Sequence, residues 1–191
     1  MSKDRLGAFM DAIIAIIMTI LILELKKPAE PSLDALLKLW KNILVYALSF
    51  IWLGSMWVSI HNAWDRIEKI SQKTIWLCIM LLFCSSFMPY TSSLVGSYVD
   101  SRVIEGFYGI VVILTTVFLT LIYYSLANDN DIPEVCIYLR KVTKLLCIDI
   151  VIKLVALVIG VLFYPPIVAI GIVIAAIFIA VGRKVHLYGI I

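Results

Sequence analysis

Charge is scarce in this chain. Asp, Glu, Lys and Arg make up 15% of its 191 residues, where a soluble domain carries about 25%. Histidine is scarcer, at two residues, and the four cysteines (Cys78, Cys84, Cys136 and Cys147) form no CxxC. Little is left with which to build a metal site, and the thiols are expected to be buried and inert. Hydrolase elbow, P-loop, HExxH and Rossmann glycine patterns are missing. No aspartate pair or Ser/His pair lies at membrane depth, so neither an enzyme nor a cofactor is expected. The basic residues stand singly or in pairs, which excludes a nucleic-acid-binding stripe. What abounds is apolar side chain, 63% of the residues, with a mean hydropathy of +1.06. A globule this small cannot hide that much apolar surface from water. The chain is read as an all-α integral membrane protein.

Apolar runs near the ~20 residues that a bilayer requires fall at about 7–25, 40–62, 74–98, 104–127, 142–163 and 166–182. Six transmembrane helices are expected, in one unit covering 1–191. The first run follows Lys3 and Arg5, as a signal peptide would, but no small-residue cleavage site ends its core from Ala12 to Leu23. It is read as a retained helix. Only Tyr164, Pro165 and Pro166 separate the last two runs, and prolines there stop one helix and start the next. The longest connections, about 26–39 and 128–141, are too short for a soluble domain.

Lys3, Arg5, Arg66, Lys69, Lys73, Arg140, Lys141, Lys144, Arg183 and Lys184 flank the spans on the N-terminal side. Lys26, Lys27, Lys38, Lys41 and Arg102 flank them on the other. The positive-inside bias therefore places both termini in the cytoplasm. Trp40, Trp64 and Trp76 fall at span ends, where an amphipathic indole prefers the headgroup region.

A few polar residues enter the apolar runs. Asp11 lies one or two turns into the first, at a cost of about a few kcal/mol unless it is partnered. Phe9, Ile16, Thr19, Ile20 and Leu23 fall within about 60° of one line on that helix, and Asp11 lies about 140° from Ile16. One face thus carries a carboxylate and another a nearly continuous aliphatic stripe. Asp149 and Lys153 stand one turn apart on the fifth span, a spacing that lets them pair along one helix. Met88-Pro89-Tyr90 breaks the third span near its centre, with serines and threonines nearby to serve the freed backbone groups. No span carries arginine at every third position, and nothing between the last two spans can form a filter loop. The pattern of a voltage-gated potassium channel is therefore absent.

The start of the first helix, Arg5-Leu6-Gly7-Ala8-Phe9-Met10-Asp11, resembles the signature Arg-x-x-x-Phe-Ser-Asp of the lysosomal and endosomal potassium channels (transmembrane protein 175 type) and their prokaryotic six-helix relatives. Arg5, Phe9 and Asp11 match it, and Met10 stands at the serine. The motif occurs once, as in a single-repeat prokaryotic member. The resemblance implies a potassium-preferring cation channel, built as a homotetramer with the first helices around the central axis. It also implies a hydrophobic constriction starting five residues beyond the aspartate, at Ile16, with further layers at Thr19, Ile20 and Leu23. Such a constriction can gate by excluding water, and it requires the ion to shed hydration. Arg5 and Asp11 would anchor the helix in a polar network at its inner end, where His61 and Asn62 of the second span are the candidate partners. The implied setting is a prokaryotic cell membrane crossed several times, with potassium and other monovalent cations as permeant ions. The implied partners are the bilayer and other copies of the chain.

Two other readings are open at this point. One is a secondary transporter using Asp11, Asp149 and Lys153; the other is a non-conducting membrane scaffold.

Overall fold

Serines start several of the helices. The Ser2 hydroxyl accepts from the Arg5 amide at 3.4 Å and caps α1 (Lys3–Leu23). Ser32 and Ser71 cap α2 (Leu33–Lys38) and α4 (Gln72–Ser85) in the same way, satisfying amides that have no intrahelical partner. Proline occupies the first turn of α5 (Met88–Ser97) and of α7 (Pro133–Leu162), where a missing amide costs nothing. The remaining helices are α3 (Trp40–Trp64), α6 (Arg102–Asp129) and α8 (Ile167–Tyr188). The computed structural model describes residues 2–188, with side chains through Ile179; Arg183, Lys184 and His186 lie outside the described side chains. Among the described residues the fold is almost entirely helical and has no strand. α1, α3, the α4–α5 pair, α6 and α7 are each long and apolar enough to cross a bilayer, and the described apolar part of α8, Ile167–Ile179, is shorter.

Two regions differ from the sequence expectation. The third apolar run is two helices, parted at Ser86 and Phe87. Pro89 cannot donate to the Ser85 carbonyl and crowds it, so the break falls just before the proline. Hydroxyls bond to carbonyls around the break: Ser85 to Leu81 at 2.8 Å, Ser86 to Phe83 at 2.7 Å and Thr91 to Phe87 at 3.0 Å. The stretch 128–141, read as a loop, is almost all helix. α6 runs to Asp129 and α7 already begins at Pro133. Hydropathy reports depth in a bilayer rather than helix ends, and the polar first turns of α7 (Glu134, Arg140, Lys141) hid its start. Asn130 locks the remaining turn: its side-chain oxygen accepts from the amides of Glu68 and Lys69, and its amide group donates to the Lys69 and Leu126 carbonyls.

α6 is the hub, packing on α4, α5, α7 and α8, with 67% of its apolar window buried. Buried hydroxyls tie it to α3 and α5. Tyr123 donates to the Ser59 carbonyl at 2.6 Å, and Ser49 bridges Ser92 at 2.7 Å and Tyr108 at 3.2 Å. The α7–α8 hairpin is close because its contact residues are small. A Cβ built on Gly171 would sit 2.2 Å from the Ala156 Cβ, and one on Gly160 would sit 2.4 Å from Val168 Cγ2. Absent side chains let membrane helices approach backbone to backbone.

Candidate functional site

α1 is apolar on nearly every side, yet its two faces have different fates. Leu6, Met10, Ile14, Ile17 and Leu21 are buried against α3, α4 and α5. The opposite face is uncovered in the protomer: Ile16 is 57% exposed, Leu23 78% and Phe9 47%. Thr19 and Ile20 lie on that same face. The Thr19 hydroxyl donates back to the Ile16 carbonyl at 2.8 Å, so its polarity is satisfied within the helix. The stripe Phe9, Ile16, Thr19, Ile20 and Leu23 is therefore an apolar face of α1 that no other helix covers among the described residues.

The burial of the opposite face holds this stripe in place, together with an antiparallel clasp on α3. Lys3 Nζ donates to the carbonyls of Trp64 at 3.3 Å and Ile67 at 2.7 Å, and Trp64 Nε1 donates to the Lys3 carbonyl at 3.2 Å. Trp64 stands at the end of its span, as expected, and is buried in this clasp. Gly7 permits the contact, since a Cβ there would lie 3.1 Å from the Trp64 ring. At the other end of α1, Ser93 of α5 donates to the Glu24 carbonyl at 3.1 Å.

Asp11 is held by a residue that the sequence did not single out. Trp57 Nε1 donates to Asp11 Oδ1 at 2.8 Å. His61 stacks on the Trp57 ring, with centroids 5.4 Å apart, and its Nε2 lies 3.6 Å from Asp65. His61 thus reaches Asp11 only through the indole, and among the described residues no hydrogen bond joins Asp11 to Asn62 or Arg5. The expectation chose α3 residues level with Asp11 at the helix end, but the donor stands one turn deeper. The Trp57–His61 spacing of one helical turn was the available signal. Met10 is buried in the core while Asp11 is exposed beside Trp57, so the signature-serine position and the carboxylate look in different directions.

Asp149 and Lys153 are brought together, well away from Asp11. Lys153 Nζ lies 2.5 Å from Asp149 Oδ2 and 2.9 Å from the Thr116 hydroxyl, and it sits 5.3 Å from the centroid of the Trp52 ring. Both side chains are 2% exposed. A cavity of about 90 Å³ beside them is lined by α3, α6, α7 and α8. The structure adds one more buried ionisable group, Glu105 at the start of α6, which the sequence reading passed over because it sits at a span boundary. Of the cysteines, Cys78 and Cys84 are buried as expected, whereas Cys147 is exposed on α7. No group of side chains suited to a metal ion occurs among the described residues.

Residues 5–89 match the family model of TMEM175, the endosomal/lysosomal potassium channel, and the match opens on Arg5 of the motif and takes in Asp11 and its donor Trp57. Over that stretch the chain is similar to the TMEM175 family. The chain is 34% identical over 122 residues to a protein named a potassium channel in Chryseobacterium sp. (strain P1-3), covering 64% of each chain. The aligned part thus spans just under two thirds of that relative. A second protein so named, from Chamaesiphon minutus, is 28% identical over 140 residues, covering 68% of this chain and 69% of that one. The fold matches the crystal structure of a lysosomal potassium-selective channel TMEM175 homolog from Chamaesiphon minutus with a TM-score of 0.82. That match has 23% identity and covers 95% of this chain and 98% of the other.

Proposed function

We propose that the chain is a potassium-preferring cation channel that conducts passively through a hydrophobic constriction formed by α1. The observation that carries this reading is the uncovered stripe of α1, held outward by a buried face and by the clasp on α3. One helix cannot enclose a pathway, so the reading requires a closed ring of copies. A homotetramer with α1 around the axis puts Ile16, Thr19, Ile20 and Leu23 in successive layers, and cyclic symmetry suits such an assembly. An aliphatic ring offers a passing ion no oxygen ligands, so the ion must part with some of its hydration. Potassium, the larger ion, holds its water less tightly than sodium and passes at lower cost. Arg5, Phe9 and Asp11 set the entry, with Trp57 and the His61 ring behind it. In this reading the chain is one six-helix transmembrane unit in a prokaryotic plasma membrane, with both termini cytoplasmic.

The transporter reading needs Asp11, Asp149 and Lys153 at one site. Asp11 bonds to Trp57 beside α1, whereas Asp149 and Lys153 lie against Trp52 and Thr116. Asp11 does not line the cavity beside Asp149 and Lys153.

The test is ion flux through the purified protein in liposomes, under potassium and then sodium gradients. Passive potassium flux should exceed sodium flux, and Ile16→Asn should erode that preference by roughly tenfold, since about 1.4 kcal/mol of differential barrier corresponds to a factor of ten. Flux with unchanged selectivity in Ile16→Asn would keep the channel and discard the constriction. No passive flux from an intact oligomer would end the channel reading.

A further inference from the structure

α8 stands off from α3. The small-residue contacts of Gly160 and Gly171 draw it onto α7, and Gly109 of α6 lets Val168 come within 2.8 Å of where a Cβ would sit. A groove is left between α3 and α8. Its outer section, about 320 Å³, has Trp40, Lys41, Asp100 and Tyr164 at its mouth. It continues past Val45, Leu48, Ala169 and Val173, which also line an inner section of about 240 Å³. The inner section is almost wholly apolar. Along the two sections, Leu44 and Ile170 of the outer one and Ile51 and Ile177 of the inner one are exposed on the outside of the protomer.

The charged groups of its lining sit at one end only, where α3, the α5–α6 turn and the α7–α8 turn all reach the end of the apolar zone. Lys41 and Asp100 carry opposite charges, are both exposed, and form no ion pair with each other. Trp40 and Tyr164 flank them, the residue types that settle at a membrane–water boundary. A cleft in this size range, roughly 300–1,000 Å³, accommodates a sizeable apolar ligand, and in a bilayer the material at hand is an acyl chain. An anionic lipid calls for several basic residues together. This mouth instead offers one cation and one anion.

We infer that the α3–α8 groove is a binding site for one membrane phospholipid with a zwitterionic headgroup, its phosphate at Lys41, its ammonium at Asp100 and an acyl chain along Val45, Leu48, Ala169 and Val173. The site is separate from the α1 stripe and does not depend on conduction.

The test reconstitutes the full chain in nanodiscs of equal phosphatidylethanolamine and phosphatidylglycerol. The protein is then extracted in mild detergent, and retained lipid is counted per protomer by native mass spectrometry. One phosphatidylethanolamine per protomer is expected, enriched roughly fivefold over phosphatidylglycerol, the scale of one charge at a headgroup. Asp100→Asn should abolish the preference while keeping a lipid. Ala169→Trp, which fills the groove, should lower retention by a similar factor; Lys41→Glu, a surface change that leaves the packing intact, should lower phosphatidylethanolamine retention if the tryptophan variant does not fold. Enrichment of phosphatidylglycerol, no retained lipid, or full retention in both of these variants would overturn the proposal. So would disulfide trapping between copies through Ile51→Cys and Ile177→Cys, which would assign the groove to a subunit contact. Lipid retention is read without ion flux, so failure here leaves the channel reading standing, and a non-conducting protein leaves this site standing.

Discussion

A carboxylate one or two turns into a membrane helix needs a donor, and Asp11 has an indole rather than a second charge. Trp57→Phe keeps the stack on His61 and removes only the N–H. A hydrogen bond of this kind contributes about 1 kcal/mol, so the melting temperature in detergent should fall by about 2–4 °C. An unchanged melting curve would show that the bond does not secure α1. The Asp149–Lys153 pair follows a different rule, because both groups are buried. Removing one partner strands the other, so Asp149→Ala or Lys153→Ala should each cost about 3–5 kcal/mol. Replacing both by apolar residues of similar size, Asp149→Leu with Lys153→Met, should stay close to the parent or exceed it. Denaturant titration of all four proteins in micelles distinguishes the pair from two independent groups. If the double variant is as weak as the singles combined, the two charges do not compensate each other.

At the scale of elements, the α7–α8 hairpin depends on absent side chains. Gly171→Ala places a methyl against Ala156 at 2.2 Å, a distance at which the helices must separate. Overpacking of this kind costs about 1–3 kcal/mol. Adding Ala156→Gly should recover most of that loss, because it vacates the opposing volume. Thermal unfolding of the two variants beside the parent checks this, and a failure of rescue would mean that the backbones, not the methyls, set the spacing. The hairpin itself was legible from Tyr164, Pro165 and Pro166. The closeness of its packing was not, since Gly160 and Gly171 acquire meaning only when the residues opposite them are known. The break in the third apolar run was legible from Pro89, although it falls at Ser86 and Phe87, just beyond the Ser85 carbonyl that loses its donor.

At the scale of the whole molecule, α1 and α7 leave equal shares of their apolar windows uncovered in the protomer. α1 packs on α3, α4 and α5, yet only 28% of its apolar window is buried. Under the proposed function, a helix so placed completes its environment with other copies of itself. The protomer has a mass of 21.5 kDa, and light scattering or native mass spectrometry in mild detergent should find four of them together. A stable monomer would remove the enclosed pathway and with it the proposed function. Substitutions on the uncovered stripe that disturb assembly, such as Leu23→Asp, should shift that mass, whereas Val151→Ala on the exposed face of α7 should not.

Composition alone determined that this chain lives in a membrane, because no arrangement of 191 residues can bury a 63% apolar complement within itself. The sequence also carried the helical class, the Pro-marked turns, the Arg5–Phe9–Asp11 motif and the spacing of Asp149 and Lys153, all of which are local. It could not say which face of α1 the protein covers. Leu6, Met10, Ile14, Ile17 and Leu21 are as apolar as the stripe opposite them, and hydropathy does not distinguish core from lipid or from pore. That choice belongs to the tertiary structure, which clasps Lys3 to Trp64 and Asp11 to Trp57 across residues far apart in the chain. The standing-off of α8 from α3 was likewise decided there, by glycines meeting small or β-branched residues on neighbouring helices. Pattern along one helix shows which residues share a face, and only packing between helices shows what that face meets.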